Sequence, residues 1–193
     1  MRVTMRRLLS TMIKCNQDLP KNSLVVDMTL EKAVQLYENQ VLTDTQRFRK
    51  IRLSESGLTL EVRFLKKQPV QWLSESTNSN QLEEKANKFL ANDDQTINIS
   101  QAALAHFLED TGDQKPIHRE VPYVLPGAFL LEQVSDKLAI DYRQLHLRFY
   151  APVVLDSSIQ LMMKGRAIGL FQAGKLVAKG DYDHDGCLYC CRP

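Results

Sequence analysis

The spacing of apolar residues changes period several times along the chain, and each change predicts an element. Residues 4–16 can form a short helix that ends before Asp18-Leu19-Pro20. From Thr29 to Tyr37, Leu30, Ala33, Val34 and Tyr37 recur at a period of about 3.6 and predict a second helix. Two alternating runs, Phe48–Leu53 and Leu58–Leu65, flank Ser54-Glu55-Ser56-Gly57 and predict a β-hairpin. In its second arm Leu58, Leu60, Val62 and Phe64 take one face, and Thr59, Glu61 and Arg63 the other. Residues 73–81 read as a polar loop and the best internal boundary. A charged helix, Leu82–Leu90, and a turn at Asn92-Asp93-Asp94 follow.

The second half is more regular. Thr96–Ile99 predicts a short strand, and Ser100 caps a helix from Gln101 to about Asp110 with Ala103, Leu104, Phe107 and Leu108 as its apolar positions. A long connection from Thr111 to Pro126 contains Pro116, Pro122 and Pro126. An apolar helix then starts at Gly127 and runs through Leu131, Val134 and Leu138. Three strand-like runs close the chain, Leu145–Val153, Ile159–Phe171 and Lys175–Tyr182, with a turn at Gln172-Ala173-Gly174. One buried helix followed by successive antiparallel strands predicts an α+β domain, a curved sheet wrapped on a helix. No sequence repeat is evident.

Composition narrows the function classes. With 193 residues, 44% hydrophobic, 25% charged and a net charge of +2, the chain can bury a substantial core and is not a disordered one. Its apolar runs are far short of the ~20 residues a membrane span needs. The balance of 25 basic and 23 acidic residues offers no nucleic-acid footprint. The one biased stretch, residues 1–17 with Arg2, Arg6, Arg7 and Lys14, reads as a first helix with a cationic face rather than a transit peptide, and a cytoplasmic location is expected. Cys187, Cys190 and Cys191 crowd into the last seven residues. Even with His184 they lack the paired spacing of a zinc site, so residues 186–193 read as an irregular tail and no metal is expected.

The chemistry concentrates between Thr111 and Glu132. Asp113 and His118 lie on a proline-rigidified connection that can hold side chains in fixed geometry. Pro126-Gly127 opens an apolar helix whose unpaired first-turn N–H groups suit a carbonyl becoming an oxyanion, and a glycine there admits a ligand close to the backbone. Glu132, five residues on, is a candidate buried carboxyl with a raised pKa. His146, alternating with Leu145 and Leu147, is expected to face solvent.

These residues carry a family resemblance. The stretch from Ala102 to His118, ending Thr111-Gly112-Asp113-Gln114-Lys115-Pro116-Ile117-His118, resembles the motif of the MaoC-like (R)-specific enoyl-CoA hydratases. There an Asp and a His five positions apart flank an Asn-Pro; here Lys115 stands at the Asn position. The run from His118 through Leu125-Pro126-Gly127 to Glu132 resembles equally the β-hydroxyacyl-ACP dehydratases of the same hotdog fold, although Arg119-Glu120-Val121 replaces their Phe-Pro-Gly after the histidine. Phe149-Tyr150-Ala151-Pro152-Val153 is similar to a strand common to both groups, and Gly174–Gly180 to their last strand.

The resemblance implies a hotdog module over residues 96–185, with His118 and either Asp113 or Glu132 activating water, and Gly127 with Ala128 binding the thioester oxygen. It implies a lyase of fatty-acid type metabolism that hydrates or dehydrates acyl-CoA or acyl-ACP thioesters, needs no cofactor and works as a homodimer. Two other classes stay open: a hotdog thioesterase, and a non-catalytic acyl-thioester-binding subunit. Residues 1–95 form an N-terminal extension with three open roles: strands of the same sheet or a degenerate second hotdog, a lid, or a dimerisation arm.

Overall fold

The computed structural model describes residues 2–20, 23–32, 37–66, 95–138, 142–155 and 157–184. In chain order the elements are α1 (Arg2–Lys14), β1 (Leu24–Lys32), β2 (Gln40–Asp44), β3 (Phe48–Glu55), β4 (Leu58–Leu65), β5 (Gln95–Ile97), α2 (Gln101–Thr111), a 3-10 turn (Pro116–His118), α3 (Gly127–Leu138), β6 (Tyr142–Phe149), β7 (Ile159–Lys164), β8 (Ala167–Gln172) and β9 (Lys175–His184). All nine strands form one antiparallel sheet in the order β2-β3-β4-β1-β6-β9-β8-β7-β5.

That order contains a repeat that the residue pattern does not display. In the first half β1 pairs with β4, β4 with β3 and β3 with β2; in the second β6 pairs with β9, β9 with β8 and β8 with β7. Each set of four follows a helix, α1 or α3. The two sets meet where β1 pairs with β6, from Asp27↔Arg148 to Glu31↔Gln144. The hairpin β3–β4 is therefore part of the main sheet.

The helices fill the sheet's inner face. Helix α3 is buried at Ala128, Phe129, Leu130, Leu131, Val134 and Leu138, packing on β1 and β6, and leaves Asp136 and Lys137 exposed. Helix α1 presents Met5, Leu8, Leu9 and Met12, one stripe at helical spacing, to β3, β4 and the other two helices. Its cationic face is not simply solvated. Arg2 and Arg6 both donate to Glu132 Oε1, at 2.7 and 3.0 Å, and Arg6 also pairs with Asp110 on α2. The loop after α1 is held by Arg49, which reaches Asp18 at 2.7 Å and Asp44 at 2.9 Å.

Two predicted elements are corrected. Thr29–Lys32 belongs to strand β1, not to a helix: it is hydrogen-bonded on both sides, to β4 and β6, and this pairing overrides the local helical period. Residues 33–36 of that predicted helix lie outside the described residues. The run Ile159–Phe171 is two strands, broken at Gly165, where φ of +58° turns the chain back. Strands β1 and β2 have no counterpart in the sequence reading. The loop 73–81, the helix Leu82–Leu90, the turn at 92–94 and the cysteine tail lie outside the described residues.

Two outcomes test this account of the fold. Glu132→Gln leaves the α1 guanidinium groups facing a neutral amide in a fully buried position. Stability is expected to fall by about 2 kcal/mol, a loss of roughly 4–8 °C in melting temperature for a chain of this size. An unchanged melting temperature would show that this ion pair contributes nothing. The second concerns His146, which lies between Asp27 on β1 (3.4 Å) and Asp181 on β9 (3.5 Å). Hydrogen bonding to Asp27, supported by Asp181, raises its pKa above the ordinary value against the effect of partial burial. Its stabilising contribution is thus complete below the unfolded value of ~6.5 and is lost as pH rises through the higher folded value. Denaturant titrations of wild type and His146→Gln should differ most at pH about 5.5 and converge above about 8; a gap that widens with pH would contradict the assignment.

Candidate functional site

The site is built from the chain that leaves α2. Ser100 caps the helix, its hydroxyl accepting from the Ala103 N–H at 3.1 Å, and Gly112 ends it in the left-handed conformation, φ +72°. The Asp113 N–H donates back to Leu108 O at 3.0 Å, so Asp113 enters the interior directly from the helix end. Its Oδ1 accepts from the Lys115 N–H at 3.0 Å, and its carbonyl accepts from Arg119 Nε and Nη2 at 3.1 and 2.6 Å. Asp113 is therefore a turn-forming residue at one oxygen and free to face the interior with the other. Pro116 then opens the 3-10 turn that ends at His118.

His118 is fixed by its backbone neighbour. Its Nδ1 lies 2.7 Å from Val124 O, and because a carbonyl can only accept, Nδ1 carries the proton. Val124 is itself held beside Val154, and Leu125 N–H donates to Val153 O at 2.7 Å. The other ring nitrogen, Nε2, points towards Asp113 Oδ2 at 3.8 Å. Burial pulls the His118 pKa below its ordinary value, although the Asp113 carboxylate and the Val124 carbonyl act in the opposite direction. The imidazole is thus neutral near pH 7, with the Nε2 lone pair available. The two groups stand too far apart for a direct hydrogen bond, yet close to the span that one water bridges with two bonds of ~2.8 Å.

The N-terminus of α3 faces the same space. Gly127, Ala128, Asp113 and His118 all line one cavity of about 380 Å³. A Cβ on Gly127 would meet the Phe149 ring at 3.1 Å and Val25 at 3.2 Å, so a larger residue there would have to push these side chains of β6 and β1 back by a few tenths of an ångström. The first-turn N–H groups of α3 have no acceptor within their own helix and sit at its positive end.

Four of the five sequence-predicted site residues thus converge. Glu132 stands apart: it is fully buried but bound to Arg2 and Arg6 beneath α1, and it does not line the cavity. The sequence reading missed the contribution of the first half, where Met12, Asn16, Ser23, Val25 and Phe64 form the opposite wall. These are mainly apolar residues, and nothing in their type or spacing marks a site. Lys115, which stands where the resembled hydratase motif has Asn, also lines the cavity, its Nζ donating to Ser23 O at 3.1 Å. No helix among the described residues is long and apolar enough to cross a membrane.

No protein-family model and no curated protein sequence matches the chain. Solved structures do. A MaoC-like dehydratase from Phytophthora capsici superposes with a TM-score of 0.51 over 86% of this chain and 70% of that one, at 12% identity. The full-length peroxisomal multifunctional enzyme type 2 of Drosophila melanogaster gives 0.49 over 92% of this chain and 40% of that one, at 16% identity. An acyl-ACP thioesterase from Bacteroides thetaiotaomicron gives 0.48 over 83% and 75%, at 6% identity. The likeness to the first, together with the curved antiparallel sheet around a buried helix, shows that the chain has the hotdog fold.

Proposed function

We propose that this protein adds water reversibly across the double bond of 2-enoyl thioesters, carried on coenzyme A or on an acyl carrier protein. The observation that supports this reading most directly is the pairing of a neutral, tautomer-fixed His118 with Asp113, 3.8 Å apart, in a cavity that also receives the N-terminus of α3.

The chemistry follows from which atoms can accept and which can donate. A water between His118 Nε2 and Asp113 Oδ2 donates to both, which turns its oxygen lone pair outward. As that oxygen bonds to C3 of the enoyl group, the C2=C3 π electrons shift towards the thioester carbonyl and a proton passes to Nε2. The resulting enolate oxygen lies against the N–H groups of Gly127 and Ala128, which are fixed in advance and need no reorganisation. The proton is then delivered to C2, the carbonyl re-forms, and H and OH have been added with no net change at the protein. Dehydration is the reverse. The apolar walls, from both halves of the sheet, enclose the acyl chain, and the first half serves as a degenerate copy of the second that closes the cavity. Glu132 holds α1 in place and takes no part in proton transfer.

The test is to follow loss of the conjugated enoyl absorbance with crotonyl-CoA and with longer 2-enoyl thioesters. His118→Ala and Asp113→Asn should each lower kcat/KM by ~10²–10⁴, whereas Glu132→Gln, once folded, keeps turnover. Because Nε2 must be unprotonated for hydration and its pKa is lowered, the rate should stay level from neutral pH to below the ordinary histidine value of ~6.5 before it falls. Full activity in His118→Ala would remove the residue from the mechanism. Release of free thiol without hydration would replace this reading with that of a thioesterase.

A further inference from the structure

The mechanism above leaves one charged cavity residue without a task. Among the described residues lining the cavity, Lys115 is the only ammonium or guanidinium, and Asp113 the only carboxylate. Lys115 Nζ reaches across to the first half, donating to Ser23 O at 3.1 Å and lying 5.8 Å from the centre of the Phe64 ring. Among the described residues no carboxylate stands within 4.0 Å of it. Asp113 is committed elsewhere, with Oδ1 on the Lys115 backbone N–H and Oδ2 facing His118.

This is a costly arrangement for a purely structural tie. Lys115 is half-buried; a charge drawn out of water is ordinarily compensated by a counter-ion, and one carbonyl oxygen satisfies only one of three ammonium donors. Burial accordingly lowers the Lys115 pKa, with Asp113 only partly restoring it. A neutral side chain could reach Ser23 without that penalty. An anion brought by a ligand would supply what the protein omits, and the remaining N–H groups can form charge-assisted hydrogen bonds to it.

We propose that Lys115 is a specificity-determining residue that receives an anionic oxygen group of the bound thioester. Two parts of such a ligand can present that chemistry: a second carboxylate on the acyl group, or a phosphate of the carrier arm. The inference rests on the thioester reading of the cavity, so its test uses ligands that bind without reacting.

Affinities are measured by calorimetry for four thioether analogues, in which a CH₂ replaces the thioester carbonyl and neither hydration nor hydrolysis is possible. They are S-butyl and S-(3-carboxypropyl) derivatives, each on coenzyme A and on phosphate-free pantetheine. If the acyl carboxylate is the partner, wild type favours the carboxylated ligand on both carriers by ~10–100-fold. Lys115→Met abolishes that preference and Lys115→Arg retains part of it. If a carrier phosphate is the partner, Lys115→Met weakens both coenzyme A ligands by a similar factor and leaves both pantetheine ligands unchanged. Either pattern supports the inference and assigns the source.

A Lys115→Met protein that binds all four as wild type does, with only a lowered melting temperature, overturns it and makes the lysine a tie between the halves. Wild type that binds none of the four overturns the thioester reading, and this inference with it. Binding that depends on Lys115 in a protein with no hydratase activity overturns the proposed reaction alone.

Discussion

The pairing of β1 with β6 is the constraint on which the rest of the molecule depends. It joins a four-stranded part, β2-β3-β4-β1, to a five-stranded one, β6-β9-β8-β7-β5, each of which would otherwise end in a long unpaired strand edge. Met28 and Leu30 on one side meet Leu147 and Leu145 on the other, and all four side chains are completely buried. The joined strands make the surface on which α3 packs, with contacts to both β1 and β6. The same pairing sets the site. It carries the start of β1 to the N-terminus of α3, so that Val25 lies against Gly127 and the Ser23 carbonyl comes within reach of Lys115.

Within that frame, the buried polar groups divide by what holds them, ion pairs for Glu132 and backbone groups for Asp113 and His118. Glu132 Oε1 is met by two guanidinium groups and ties α1 across the core, while its Oε2 is buried without a hydrogen-bond partner among the described residues. Asp113 and His118 are each anchored to backbone by one atom only, Asp113 Oδ1 to the Lys115 N–H and His118 Nδ1 to Val124 O. The second atom of each is held towards the other without bonding to it. A structural pair would close that 3.8 Å gap to gain a charge-assisted hydrogen bond. Here the backbone anchors keep it open, and a group that arrives between them finds two acceptors already oriented.

How much of this the residues disclose depends on the range of the interaction responsible. The β3–β4 hairpin, the Ser100 cap and the apolar helix from Gly127 are written locally, in alternation, in one hydroxyl and in a 3.6-residue period, and they appear where the sequence places them. Asp113, His118 and Gly127 lie on or next to one proline-containing connection, where His118 is held on Val124 O and Leu125 on Val153 O. Strand β1 is the opposite case. Thr29-Leu30-Glu31-Lys32 has a plausible helical face, and only its two neighbouring strands make it extended. Glu132 shows the same limit: its place on an apolar helix suggested a proton carrier, but its partners come from residues 126 and 130 positions away.

That division has a functional consequence. The residues proposed to handle protons lie in one short segment with a readable motif, whereas the apolar wall of the cavity draws on both halves, with Val25 and Phe64 among the first half's share. Wall residues such as Val25 and Phe64 act through shape, and shape leaves no motif, since many apolar residues fill a given volume about equally well. A chain can therefore keep its reaction centre recognisable while its choice of ligand drifts with the half that carries no signature. Lys115 is the point where the two meet, a residue within the motif whose side chain is held by the opposite wall. Lys115 therefore reports on the wall as well as on the segment that carries Asp113 and His118.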